Sequence, residues 1–175
     1  MSNYMAMLVQ NSNISDKDLL SIFVKDQKEI GKIYFDEPID DLEVAIGKIN
    51  NWTFLWSNIK LILKMDLDEL SDKLTTLSIQ NGHIFLWFYE SVSGGLHFEF
   101  HENGLLLRKW TEVGNEVVQN IGEKIQQESS DIFNSECDEE GTRDEWKVVE
   151  LMEAISDLSW DDDLLKMQCI HYKIK

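Results

Sequence analysis

Proline occurs once in this chain, at Pro38, and cysteine twice, at Cys137 and Cys169. One proline and nine glycines leave little of the punctuation that an inter-domain linker needs, and no internal repeat or low-complexity tract is found. The 175 residues are therefore read as one domain, 1–175, large enough to bury about two thirds of the surface of its unfolded form. The two cysteines lie far apart and lack the short spacing of zinc ligands, so both are expected as free thiols in a reducing compartment.

Basic residues are scarce: 16 Lys and Arg stand against 33 Asp and Glu, a net charge of −17. Such a field repels nucleic-acid phosphates and anionic membranes and attracts cationic partners, so no nucleic acid and no membrane is expected as a partner. The first 25 residues contain no basic segment followed by an apolar one, and no run approaches the ~18 apolar residues of a membrane span. The expected location is cytoplasmic. Also absent are the G-x-S-x-G, P-loop and dinucleotide fingerprints, and Cys137 sits among carboxylates that raise a thiol pKa rather than activate it. No cofactor is expected, and the chain reads as a non-enzyme.

What is present is aromatic and periodic, with six Trp and eight Phe in a composition typical of globular proteins. Tyr4 to Val9 reads as a strand. Ser15 caps a short helix carrying Leu19, Leu20, Phe23 and Val24. After Gly31, KIYF is a strand that Pro38 confines to an edge. Leu42, Ala45, Ile46 and Ile49 fall at i, i+3, i+4 and i+7, which predicts a helix ended by Asn50-Asn51. Trp52, Phe54 and Trp56 alternate as in a strand with an aromatic face, and IKLIL either extends it or starts another. Asp66 and Glu69 open a helix with Leu67, Leu70, Leu74 and Leu77 on one side. HIFLWFYE, from His83 to Glu90, is the expected central strand. Residues 126–141 read as an exposed acidic loop, Thr142 and Glu145 as the capping box of a helix with Val148, Leu151, Met152 and Ile155 inward, and KMQCIHYKIK as extended. Helices mixed with antiparallel hairpins give an α+β fold: a single domain with an antiparallel meander sheet packed against several helices.

Turn signals at Ser93-Gly94-Gly95, Asn103-Gly104 and Gly114-Asn115 punctuate the meander. A two-residue turn at Asn103-Gly104 pairs His101 with Leu106, Glu99 with Arg108 and His97 with Trp110. Paired side chains share a face, so these join Ile84, Leu86 and Phe88 on a mixed side. Phe98, Phe100, Leu105 and Leu107, with Phe85, Trp87 and Tyr89, make the core side. The run His97-x-Glu99-x-His101 has metal-ligand residue types, but its ends stand ~13 Å apart along a strand. Glu99 also faces Arg108, so the mixed side is expected to be a solvated, partner-binding rim holding no metal. A metal-dependent enzyme using His97, Glu99 and His101 is the alternative.

A second partner-binding candidate is Trp160 with Asp161, Asp162 and Asp163, an amphipathic ring beside three carboxylates. Three carboxylates could also hold a divalent cation, though such loops are usually only solvated.

From Trp52 to Glu128 the chain resembles small bacterial immunity proteins of polymorphic or contact-delivered toxin systems. The shared features are the W-x-F strand at Trp52, a helix ending in Leu77-Ser78, two hairpin strands, N-G-x-x-x-R at Asn103, Gly104 and Arg108, and G-x-x-I-x-x-E at Gly122, Ile125 and Glu128. The resemblance implies a protein without catalysis of its own that covers the active site of a cognate toxin. It covers under half the chain. An acidic secretion chaperone that binds an extended effector segment, usually as a dimer, is the other non-enzymatic reading.

Overall fold

The computed structural model describes residues 3–35, 37–63, 65–114, 116–128 and 146–175. Its elements in chain order are β1 (Tyr4–Val9), α1 (Asp16–Leu20), β2 (Gln27–Tyr34), β3 (Glu43–Ile49), β4 (Trp52–Asn58), α2 (Leu67–Asn81), β5 (Ile84–Glu90), β6 (Gly95–Glu102), β7 (Leu105–Val113), β8 (Glu116–Ile121), α3 (Trp146–Ser156) and β9 (Gln168–Ile174). A 3-10 turn at Ile59–Leu61 and a π-helical turn at Trp160–Leu164 complete the list. The nine strands form one antiparallel sheet in the order β2-β9-β3-β4-β1-β5-β6-β7-β8.

The sheet buries side chains on both faces, as the near-continuous apolar runs in β1 and β5 require. One buried cluster gathers Phe54, Phe85, Trp87, Phe98 and Trp110 with Val148, Leu151 and Met152 of α3. The other gathers Met5, Met7, Leu55, Ile84 and Leu86 with Leu19 and Leu20 of α1 and Leu70 and Leu74 of α2. β1 occupies the middle of the sheet with every residue buried, and β5 lies beside it. β2 is an edge, as Pro38 predicts. Ser15 and Asp66 cap α1 and α2 through their side chains.

Three expectations are corrected. Residues 43–49 form a strand, not a helix: Val44 and Ile46 enter one cluster and Ala45 the other, so a run buried on both faces imitates helical spacing. Leu42, the first residue of that pattern, is exposed. Asn50-Asn51 is therefore a hairpin turn, with Ile49 opposite Trp52 and Asn50 at φ 52°.

The second correction is register. Asn103 (φ 50°) and Gly104 (φ 83°) make the expected two-residue turn, and His101 pairs with Leu106. Beyond that pair β7 bulges, so Phe100 faces Arg108, Glu99 faces Lys109, Phe98 faces Trp110 and His97 faces Thr111. One extra residue exchanges the faces of everything after it. Arg108 and Trp110 thus join the aromatic side, while Lys109 and Thr111 join His97 and Glu99.

The third concerns one residue of the loop at 126–141: Gln126 is exposed as expected, but Glu128 is buried against Arg108; positions 129–141, like Cys137 and the capping box at Thr142 and Glu145, lie outside the described residues. No described helix is long and apolar enough to cross a membrane.

Candidate functional site

His97, Glu99 and His101 are brought together, but around a carboxylate and away from water. Their exposures are 0%, 1% and 0%, because α2 lies over this side of β6. Glu99 Oε1 is 3.2 Å from His97 Nε2 and 3.0 Å from Lys109 Nζ, and Oε2 is 2.9 Å from His101 Nε2. An ionised carboxylate only accepts, so each imidazole presents a protonated Nε2 to it. Each Nδ1 meets a hydroxyl: Thr75 of α2 at 3.0 Å from His101, and Thr111 at 2.8 Å from His97. The His97 ring also stacks on Phe88 with centroids 4.5 Å apart.

Burial alone would raise the Glu99 pKa, but hydrogen bonds from His101 and His97, with the charge on Lys109, hold it well below the usual carboxylate range. Burial lowers the His97 pKa despite Glu99, favouring the neutral ring. Among the described residues no three His, Cys, Asp or Glu side chains are arranged to hold a metal ion. A cation entering here would meet the Lys109 ammonium and displace donors already satisfied. The expected solvated rim is therefore a sealed polar network; the ~13 Å strand spacing is bridged because long side chains converge on the residue between them.

Arg108 and Trp110 are sealed on the opposite side, at 2% and 6% exposure. The Arg108 guanidinium donates from Nε to Glu128 Oε2 at 2.9 Å and from Nη2 to Oε1 at 3.1 Å, a two-pronged pair. Nη1 bonds Asn120 and the carbonyl oxygens of Ile121 and Gly122. Its Cζ stands 5.9 Å from the Phe98 ring centroid and 5.4 Å from that of Trp110. The 122–128 segment thus docks on β7. Gly122 is required there: at φ 83° a Cβ would lie 2.0 Å from the Leu107 carbonyl oxygen. Ser78 Oγ accepts from the Gly104 N–H at 2.8 Å, and Glu128 accepts from the Ile125 N–H at 2.9 Å. The residues behind the resemblance thus lock the hairpin internally.

Trp160 lies half-buried in an open cleft of about 440 Å³. Rings of Tyr4, Phe35, Trp56 and Trp146 line it as well. Phe35 meets Trp160 at 5.0 Å and 85°, Trp56 meets it at 6.1 Å and 66°, and Trp146 at 6.2 Å and 86°. The π-helical turn that carries Trp160 is held by Ser159, whose Oγ accepts from the Asp162 N–H at 3.2 Å, and by Asp163, which accepts from the Ser159 N–H at 2.8 Å. Glu153 of α3 accepts the Trp160 N–H at 2.7 Å. The three aspartates therefore divide: Asp161 and Asp162 are exposed, while Asp163 serves the turn. A hydrogen bond from Lys166, 2.9 Å away, lowers the Asp162 pKa. Sequence reasoning marked Trp160 but not its neighbours; the Trp52-Phe54-Trp56 alternation signalled an aromatic face, yet nothing local ties it to Trp146 or Phe35.

Comparison with protein-family models, with curated proteins and with solved structures finds no match to this chain.

Proposed function

We propose that this chain is a non-catalytic binding protein, an immunity-type inhibitor that neutralises a cognate bacterial toxin in the cytoplasm by covering its active site. One observation carries the reading: His97, Glu99, His101 and Arg108 are enclosed at 0–2% exposure, while the outer surface offers carboxylates beside an open aromatic cleft. A net charge of −17 steers a basic partner inward, and buried rings then slow its departure. The helices flanking the sheet serve as a rigid frame for that surface.

The test mixes the purified chain with the toxin encoded beside its gene. Calorimetry is expected to show a one-to-one complex with nanomolar Kd and loss of toxin activity, the association slowing as salt rises. No complex with any neighbouring toxin removes the reading. Binding only to an unfolded effector segment would instead indicate a secretion chaperone.

A further inference from the structure

We infer that the aromatic cleft receives an arginine side chain of the partner protein. The rings of Tyr4, Phe35, Trp56, Trp146 and Trp160 wall one open cleft, so a cation entering it comes within reach of π-electron density. The one charged side chain lining the cleft among the described residues is the exposed Glu37. Its Oε1 accepts the Tyr34 N–H at 2.9 Å, which fixes the carboxylate at the rim. Asp161 stands exposed next to Trp160. Other grooves lack the aromatic wall: the one at Leu63 and Met65 has Phe23 as its one ring and carries Lys60 and Lys175, and the one between α1 and α2 has carboxylates of Asp18, Glu69 and Asp72 but no ring.

An apolar occupant would bury the rings but gain nothing from the Glu37 carboxylate at the rim. A lysine ammonium would satisfy the charge as a compact, strongly hydrated point. A guanidinium is flat and weakly hydrated, stacks on indole, and offers a fork to a carboxylate, so it uses both ring faces and rim. This inference rests on the reading of the chain as a binder of a basic protein.

The test titrates N-acetyl-arginine amide, N-acetyl-lysine amide and N-acetyl-norleucine amide into the full chain, following the indole N–H resonances. The arginine probe is expected to shift Trp56, Trp146 and Trp160, but not the enclosed Trp87, with a Kd on the order of millimolar. Lysine should bind about fivefold more weakly, and norleucine should give no shift. Trp160→Ala should abolish the response, and Glu37→Gln, at an exposed site that leaves folding intact, should weaken it about 3–10-fold. Equal shifts from norleucine, or an unchanged response in Glu37→Gln, overturns the inference. So does self-association in light scattering that Trp160→Ala relieves, since a second copy would then be the occupant. A toxin complex without an arginine response sinks this inference alone; an arginine response without any toxin complex sinks the immunity reading alone.

Discussion

The two faces of the β6–β7 hairpin treat charge in opposite geometries. Under α2, Glu99 is the hub of a network, with two imidazoles and one ammonium converging on it. On the aromatic face the hub is a cation, Arg108, which reaches one carboxylate, one amide and two carbonyls between the rings of Phe98 and Trp110. Both are neutralised at close range and closed to solvent, so neither can recruit a charged ligand. Exposed carboxylates, by contrast, include Glu37 in the aromatic cleft and Asp161 next to Trp160. Residue type therefore says little about role here; enclosure decides it.

The contrast is broken most severely by removing one member of either pair. Arg108→Met leaves the enclosed Glu128 carboxylate without its counter-charge and is expected to cost about 3–5 kcal/mol in urea denaturation, whereas Glu99→Gln leaves Lys109 only the exposed Asp68 at 3.5 Å and should cost somewhat less. Arg108→Met combined with Glu128→Leu should recover much of the first loss, and simple addition of the two single effects would show that these groups do not act as a pair.

Acid acts next, through the Glu99 network. His97 and Glu99 both have folded pKa values below their unfolded ones, so the unfolded chain takes up their protons first. Stability is then full above about pH 6.5, declines as His97 protonates in the unfolded state, and declines further below about pH 4.3 through Glu99. Each proton contributes a slope of at most about 1.4 kcal/mol per pH unit. Thermal midpoints measured from pH 8 to pH 4 should follow that course, and His97→Gln should flatten the part between pH 6.5 and 5.

The bend that assigns residues to faces gives a smaller effect. Gly104→Ala places a Cβ at φ 83° and 2.9 Å from Ile79, with an expected loss of about 1–2 kcal/mol in the same denaturation assay. Smallest for folding, and most informative for binding, is the pair Asp161→Asn and Asp162→Asn. Both residues are exposed, so the unfolding midpoint should not move, whereas association with the proposed basic partner should slow and lose part of its salt dependence.

Much of the fold was legible because local chemistry announced it. Ser15 and Asp66 cap the helices they were expected to cap, Asn103-Gly104 turns the hairpin, and YMAMLV is β1 over its full length. Failures arose where a distant neighbour decides. Ala45 and Ile46 satisfy helical spacing only because strands on either side and apolar layers on both faces bury them alike. The β7 bulge has no glycine to mark it; Leu107 is pushed out of step where the 122–128 segment docks, and every later pairing shifts. The polar network could be listed from sequence but not enclosed, because the lid is Thr75 on a helix some twenty residues upstream.

Strand β9 carries one more consequence. It lies between β2 and β3, pairing Ile174 with Gln27 and Lys173 with Glu43. The hairpins from β5 to β8 close short loops and can zip early, whereas β2 has no neighbour until a segment from the other end of the chain arrives, a late and entropically slow closure. During that wait the flank of β3 offers unsatisfied peptide groups to any passing strand. The corner of the molecule most exposed to misassembly is thus set by chain connectivity, and a cell making this protein must guard it until translation of β9 is done.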